Sequence, residues 1–384
     1  MTKHIMETSK AVAFGAKLSR AGVVPMYPIT PQTHIVENIA DFINDGEMDA
    51  EMIHMESEHS AISAAIGSAF AGVRTFTATA SQGLALMHEI LHIASGLRTP
   101  MVMAVANRAL SAPINIWNDH QDTMSARDCG WIQLFCENSQ EAIDTTIMAF
   151  KISENSKVSL PVMVCIDGFT LSHVYEPVDI PDQKDVDKFL PKYKVHHILD
   201  PKKPMTFGPI GYPNSFMQFK LAEQDAMKES IKVIEDINNE FSKIFGRKYG
   251  DGLIDLYKMK DAEYAVVMNG STCGTARVAV DELRSKGKKV GLIKIKCFRP
   301  FPKEQLKNVC KNLKAIGVVD RNISLGHEGA IMSDLRSSLY ELKEKPRVAG
   351  YILGLGGRDI TDCHIKDIFE KLEKGEIKSN EWMA

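Results

Sequence analysis

Four short stretches of this 384-residue sequence carry side chains that could act together. They are Tyr27-Pro28-Ile29-Thr30-Pro31, Glu56-Ser57-Glu58-His59, Ser81-Gln82-Gly83 and Asn107-Arg108-Ala109-Leu110-Ser111-Ala112-Pro113. Thr30 offers a hydroxyl donor on a loop stiffened by Pro28 and Pro31. Glu58 offers a carboxylate, and Arg108 a planar cation whose fork suits a carboxylate partner. Together they suit a polar, anionic ligand. Each also has a plainer reading. Pro-x-Thr-Pro is a rigid turn, Glu58 is a first-turn acid favoured by a helix dipole, and Arg108 is a surface or ion-paired arginine.

The elements around these stretches decide whether they can meet. Val23-Val24-Pro25-Met26 reads as a short strand running into the proline-bracketed loop. Met52–Met55, Arg74–Thr79, Pro100–Ala106 and Leu160–Ile166 read as further strands, the last two apolar enough to be buried on both faces. Helical periodicity covers Ser9–Ala21, closed by Gly22, and Gln32–Ile43. The small-residue run Ala61–Gly72 predicts a helix lying close to its neighbours, and Leu84, Met87, Ile90, Leu91 and Ala94 predict another. Strand and helix alternate, which predicts a doubly wound parallel α/β sheet. Loops at the carboxyl ends of such strands line the ligand crevice, and all four stretches fall there.

Residues 1–176 therefore form a first domain. Residues 177–260 form a proline-rich connector followed by one long amphipathic helix, with Met227, Ile231, Ile234, Ile237, Phe241 and Phe245 on its apolar stripe and Gly246 as its stop. Residues 261–384 return to the α/β pattern, with strands at Tyr264–Met268, Val290–Ile295, Ile316–Val319 and Val348–Leu353. That is a second, smaller parallel-sheet domain.

Composition narrows the function classes. A net charge of −3, from 46 basic and 49 acidic residues, leaves no basic excess for nucleic acid. No run of about 18 apolar residues offers a membrane span. The N-terminus lacks a signal-peptide h-region, which predicts a cytoplasmic protein. Seven dispersed cysteines without Cys-x-x-Cys predict no disulfide framework, no zinc site and no iron–sulfur cluster held by this chain alone. His88 and His92 share a helix face but lack a third ligand in the sequence, so no metal site is assigned. His120 and Asp122 read as hydrogen-bonding groups of a packed loop. Gly250-Asp251-Gly252 follows a helix, not a buried strand, and the nearest following Asn is Asn269, so it fails as a magnesium-diphosphate motif. Gly354-x-Gly356-Gly357 reads as a tight turn, since Asp359 breaks the dinucleotide fingerprint.

The ordered motifs Tyr27-Pro28-Ile29-Thr30-Pro31-Gln32-Thr33, Glu56-Ser57-Glu58-His59-Ser60-Ala61, Thr77-Ala78-Thr79-Ala80-Ser81-Gln82-Gly83 and Asn107 to Trp117 resemble the alpha subunits of pyruvate:ferredoxin oxidoreductases (pyruvate synthases). These belong to the 2-oxoacid:ferredoxin oxidoreductase family. The resemblance covers nearly the whole chain. It implies a thiamine diphosphate pyrimidine-binding domain followed by a transketolase C-terminal-like domain. It implies the reversible conversion of pyruvate, coenzyme A and oxidised ferredoxin to acetyl-CoA, carbon dioxide and reduced ferredoxin. It also implies partners: a beta subunit supplying the diphosphate site and Mg2+, gamma and delta subunits, iron–sulfur clusters in those partners, and ferredoxin. Coenzyme A enters as co-substrate.

By this resemblance Glu58 holds the cofactor's pyrimidine ring and is the catalytic acid. Thr30 and Arg108 bind the substrate carboxylate. Pro28, Ile29, Ser81, Gln82 and Gly83 line the cofactor pocket. A small neutral Thr30 favours pyruvate, with a branched-chain 2-oxoacid such as 2-oxoisovalerate as the alternative. A non-catalytic scaffold subunit is the alternative of a different class.

Overall fold

The computed structural model describes residues 3–195 and 197–383. The first half runs β1 (Lys3–Glu7), α1 (Thr8–Leu18), β2 (Val23–Met26), α2 (Thr33–Asn44), β3 (Glu51–His54), α3 (Glu58–Phe70), β4 (Phe76–Thr79), α4 (Ser81–Leu86), α5 (His88–Gly96), β5 (Val102–Asn107), α6 (Gln121–Ser125), β6 (Ile132–Phe135), α7 (Ser139–Ser153), β7 (Val162–Asp167) and β8 (Tyr175–Asp179). The second runs α8 (Gln183–Phe189), α9 (Phe216–Phe245), β9 (Ile254–Tyr257), β10 (Tyr264–Met268), α10 (Thr272–Ser285), β11 (Val290–Ile295), β12 (Cys297–Arg299), α11 (Lys303–Cys310), β13 (Ala315–Asp320), α12 (Ala330–Leu339), β14 (Arg347–Ile352), α13 (Asp362–Lys374) and β15 (Glu381–Trp382).

The first sheet has the order β12-β6-β7-β5-β4, and β4, β5, β7 and β6 are parallel. Strands β4, β5 and β7 are buried along their whole length, as strands covered on both faces must be. The parallel pair β2–β3 continues this layer, because Val23 bridges Thr75 just before β4. The second sheet has the order β15-β14-β13-β10-β11-β9, with only β9 antiparallel. Both sheets are the α/β architecture expected from the sequence.

Helix packing explains several residue choices. Gly15 sits inside α1 because a Cβ there would fall 2.6 Å from Thr146 Cβ on α7. Helix α9 is longer than its apolar stripe predicts and ends at Gly246 with φ 74°, a left-handed cap open to glycine. The apolar stretch after Ser81 is two helices, α4 and α5, which meet at Met87.

Two features tie the halves together. Strand β12 leaves the second domain and pairs antiparallel with β6, at the edge of the first sheet. Strand β8 crosses residue 176 because it pairs with β1. One apolar cluster contains Met103, Trp131 and Phe135 of the first half and Ile293, Phe298 and Leu306 of the second. A continuous core of this kind resists hinge motion between domains.

Beside that core lies a buried charge cluster. Lys294 Nζ reaches Glu137 at 2.9 Å and Glu141 at 2.5 Å, while Lys296 Nζ donates to Glu141 and to Thr145 Oγ1, both at 2.7 Å. Arg277 pairs with Glu137 at 2.7 Å. Burial pushes the Glu141 carboxyl up, but Lys294 and Lys296 outweigh it and hold the group at about 2. A lowered carboxylate stabilises the fold above its ordinary range and loses that contribution as pH falls from 4.5 toward about 2. Glu141→Gln is expected to cost about 3–5 kcal/mol at neutral pH, since it leaves the buried Lys296 ammonium without a carboxylate and Lys294 with Glu137 alone. It should also flatten acid unfolding over that window. Circular dichroism melts from neutral to acid pH check this; matching profiles for variant and parent would show that the cluster does not hold the domains together.

Candidate functional site

The loops after β2, β3, β4 and β5 meet at the carboxyl edge of the first layer. Glu58 is the first residue of α3, behind Ser57, whose side chain accepts from Ser60 N. The helix dipole there favours a negative charge. Glu58 is only 6% exposed, yet no hydrogen bond or ion pair joins its carboxylate to another described residue. A Cβ on Gly83 would fall 2.7 Å from Glu58 Oε1 and 2.4 Å from Thr79 Oγ1, so only glycine lets α4 approach this acid. Thr79 Oγ1 is itself buried and without a hydrogen-bond partner among the described residues. Buried polar groups are almost always paired, so this pair reads as a cradle for a polar ligand.

Thr30 is exposed at the mouth of the site, as is Pro28, and Ile29 lies half-buried between them. The loop is fixed from beneath by Gln32, which is fully buried. Its Oε1 accepts from Ile29 N at 3.1 Å, and its Nε2 donates to Ala78 O of β4 at 3.0 Å.

Arg108 is 7% exposed and follows β5 directly. Its Nη1 donates to Thr30 O at 2.9 Å and its Nε to Asn115 O at 3.0 Å. The guanidinium is thus held by two main-chain carbonyls, and its Nη2 makes no hydrogen bond to another described residue. The contact with Thr30 brings two of the expected substrate groups together, through the threonine's carbonyl and not its hydroxyl. Burial lowers the Arg108 pKa against the pull of Asp122.

Asp122 is the hub beneath these loops. It is fully buried, and its Oδ2 accepts from Ser81 N at 2.9 Å and Arg108 N at 3.0 Å. Its Oδ1 accepts from Asn107 Nδ2 at 2.9 Å and Thr123 N at 2.7 Å. Ser81 has φ 46°, in the left-handed region, and its hydroxyl donates to Ala109 O. Ser81 is therefore turned inward to the neighbouring loop, and its main-chain N–H is spent on Asp122. Gln82 is half-buried beside it, taking a hydrogen bond from Ser81 Oγ at 2.5 Å.

The second domain braces the Arg108 loop from outside. Asn115 Nδ2 donates to Gly356 O at 3.0 Å, Gly356 N donates to Asp119 Oδ2 at 3.0 Å, and Gly357 N donates to Asn118 O at 2.6 Å. A Cβ on Gly357 would fall 2.3 Å from Trp117 Cβ. The Gly354-to-Gly357 stretch is thus a tight turn that grips the loop. His120 Nε2 meets Asp167 Oδ1 at 2.7 Å, and Asp167 Oδ2 takes Ser271 Oγ at 2.5 Å from the start of the second sheet's first helix. Burial would raise Asp167, but His120, Arg321 and Ser271 hold it well below the usual range. Gly250-Asp251-Gly252 is also a turn, with Asp251 Oδ1 accepting from Leu253 N and Ile254 N.

A cavity of about 620 Å³ beneath the connector is lined by Phe70, Leu97, Arg98 and Phe207, away from Glu58, Thr30 and Arg108.

A family model described as "Pyruvate flavodoxin/ferredoxin oxidoreductase, thiamine diP-bdg" matches residues 15–239. Fold and site thus define the class as a two-domain α/β subunit of the thiamine-dependent oxidoreductase type. A second model, "Pyruvate:ferredoxin oxidoreductase core domain II", matches residues 262–365. The chain belongs to the pyruvate:ferredoxin oxidoreductase family. It is 52% identical over 382 residues to pyruvate synthase subunit PorA of Methanocaldococcus jannaschii, covering 99% of this chain and 97% of that one. It is 43% identical over 373 residues to ketoisovalerate oxidoreductase subunit VorA of Pyrococcus abyssi, covering 97% of this chain and 94% of that one. Among solved structures, 2-oxoglutarate:ferredoxin oxidoreductase from Magnetococcus marinus superposes with TM-score 0.74 at 20% identity. That match covers 96% of this chain and 65% of that one, and shows a shared fold.

Asp122→Asn tests the hub. The variant offers one acceptor oxygen and two new donors to a cluster of N–H groups. The expected loss is about 1–3 kcal/mol for each N–H left unpaired. Thermal unfolding of variant and parent measures it. An unchanged melting temperature would mean that the loops are held by something other than this carboxylate.

Proposed function

We propose that this chain is the alpha subunit of a pyruvate:ferredoxin oxidoreductase. In this reading it converts pyruvate, coenzyme A and oxidised ferredoxin reversibly to acetyl-CoA, carbon dioxide and reduced ferredoxin, together with partner subunits. The observation that carries it is Glu58, an acid buried at a helix N-terminus, facing a close-approach glycine and an unpaired threonine hydroxyl, with no partner of its own. Relatives named for pyruvate synthase are 47–52% identical, above the 43% of the ketoisovalerate relative, which supports pyruvate over a branched-chain acid.

Thiamine diphosphate, when bound, supplies the carbon nucleophile that 2-oxoacid decarboxylation needs. The residues present suit it. Glu58 would hold the pyrimidine ring through a charge-assisted hydrogen bond and so promote proton removal at the reacting carbon. Gly83 and Ile29 would flank the ring, with Pro28, Ser81 and Gln82 shaping the walls. Arg108, with two of its donors tied to Thr30 O and Asn115 O, would present the rest of its guanidinium to the substrate carboxylate. The Thr30 hydroxyl would donate where negative charge grows on the substrate oxygen. Diphosphate, Mg2+ and iron–sulfur clusters would come from beta, gamma and delta subunits, and ferredoxin would take the electrons. Residues 1–176, 177–260 and 261–384 would act as the cofactor domain, the connector with its long helix, and the bracing domain.

Glu58→Ala in the reassembled complex is expected to lower pyruvate-dependent viologen reduction by about 10²–10⁴-fold. Arg108→Lys should instead raise the KM for pyruvate, because a lysine cannot keep the two carbonyl contacts and still meet a carboxylate. Steady-state rates on pyruvate, 2-oxobutyrate, 2-oxoisovalerate and 2-oxoglutarate check both points. Near-parental activity of Glu58→Ala would overturn the assignment.

A further inference from the structure

Away from the crevice, α5 carries His88 and His92 one turn apart on its outer face. The structure brings Cys129 against them. Cys129 Sγ lies 3.4 Å from His92 Nε2 and 3.7 Å from His88 Nδ1, and the ligand atoms of all three lie within 4.8 Å of one another. A tetrahedral zinc ion with one sulfur and two nitrogen ligands separates sulfur from nitrogen by about 3.5 Å. The two measured separations bracket that value.

The scaffold for such an ion already exists. Ser95 Oγ donates to Cys129 O at 2.6 Å, and Trp131 Nε1 donates to Leu91 O at 2.9 Å, so the loop carrying the thiol is fastened to α5 at the cysteine and again two residues beyond it. Both imidazoles are exposed while Cys129 is 1% exposed, so an ion can enter from solvent and meet a sulfur shielded from it. Ligands held in place by other bonds lose little freedom on binding.

We infer that His88, His92 and Cys129 form a binding site for a borderline-soft divalent cation of the zinc class, with a solvent molecule in the fourth position. Binding forms one metal–sulfur and two metal–nitrogen bonds, and the Cys129 S–H proton leaves to solvent. The ligands come from α5 and the loop before β6, so the ion is a structural clasp between those two segments. It stands independently of the function proposed above.

Cobalt(II) titration of the full-length chain, stripped with a chelator, tests this. The expected result is a thiolate-to-cobalt charge-transfer band in the near ultraviolet that saturates at about one ion per chain and is abolished by zinc. Cys129→Ser should remove the band. His88→Ala and His92→Ala, both at exposed positions, should weaken binding at least about tenfold with the circular dichroism spectrum unchanged. Zinc should raise the melting temperature of the parent and not of His92→Ala. Absence of the band in the parent, or a band that survives Cys129→Ser, would show that the thiol merely donates a hydrogen bond to the imidazoles and would overturn the proposal.

Discussion

The site depends on a single buried carboxylate. Asp122 accepts the main-chain N–H of Ser81 at the end of β4 and of Arg108 at the end of β5. Two adjacent loops, carrying two different candidate groups, are thereby indexed to one oxygen, Asp122 Oδ2. Burial pushes Asp122 up to about 6, while the four donors around it pull the other way. A carboxylate in so dry a place is tolerated only because every lone-pair direction meets an N–H. The left-handed backbone of Ser81 is held by the same contact, and by its hydroxyl on Ala109 O. Strain of this kind persists only where neighbours over-determine it.

The second domain works outward from this hub. Its Gly356 and Gly357 grip Asn115, Asn118 and Asp119, so the loop that carries the Nε partner of Arg108 is clamped from outside as Asp122 clamps it from inside. Arg321 O accepts from His120 N at 2.9 Å, one residue from α6 and two from Asp122. The lysine–glutamate cluster and the exchange of β12 into the first sheet keep the two domains from rocking. A remote domain thus fixes the position of a guanidinium that it does not touch. In the proposed function Arg108 would meet a small substrate, and misplacement of such a group by about an ångström costs orders of magnitude in rate.

Much of this was legible in the sequence, and the gaps have physical causes. The strands that carry Thr30 and Arg108 announce themselves by apolar β-branched runs, and the second sheet by its regular βα spacing. Helix α7 does not, because it is buried on nearly every side and its buried set includes Glu141, Asp144, Thr145 and Thr146. A helix that buries ion pairs shows no apolar stripe to read. Strands β1 and β8 are short, half-exposed and pair across more than 160 residues, so neither pattern nor locality reveals them. Asp122 reads as a packed-loop residue, which it is; that it indexes two other loops emerges only when Ser81 and Arg108 are brought to it. Cys129 falls 37 residues beyond His92, and no spacing rule joins them.

The exposure pattern of the crevice argues for what must lie beyond it. Within this chain Glu58 lies against Gly83 beside Thr79, while Thr30 and Pro28 on the loop after β2 are open to solvent. A buried acid that shifts a proton on a ligand works best where water is excluded, because its hydrogen bond strengthens as the local dielectric falls. The exposed rings of Tyr27 and Trp117 and the side chain of Ile114 lie on the loops after β2 and β5, apolar surface of the kind a second protein covers. In the function proposed above, these loops are where another subunit would close over Glu58 and Arg108.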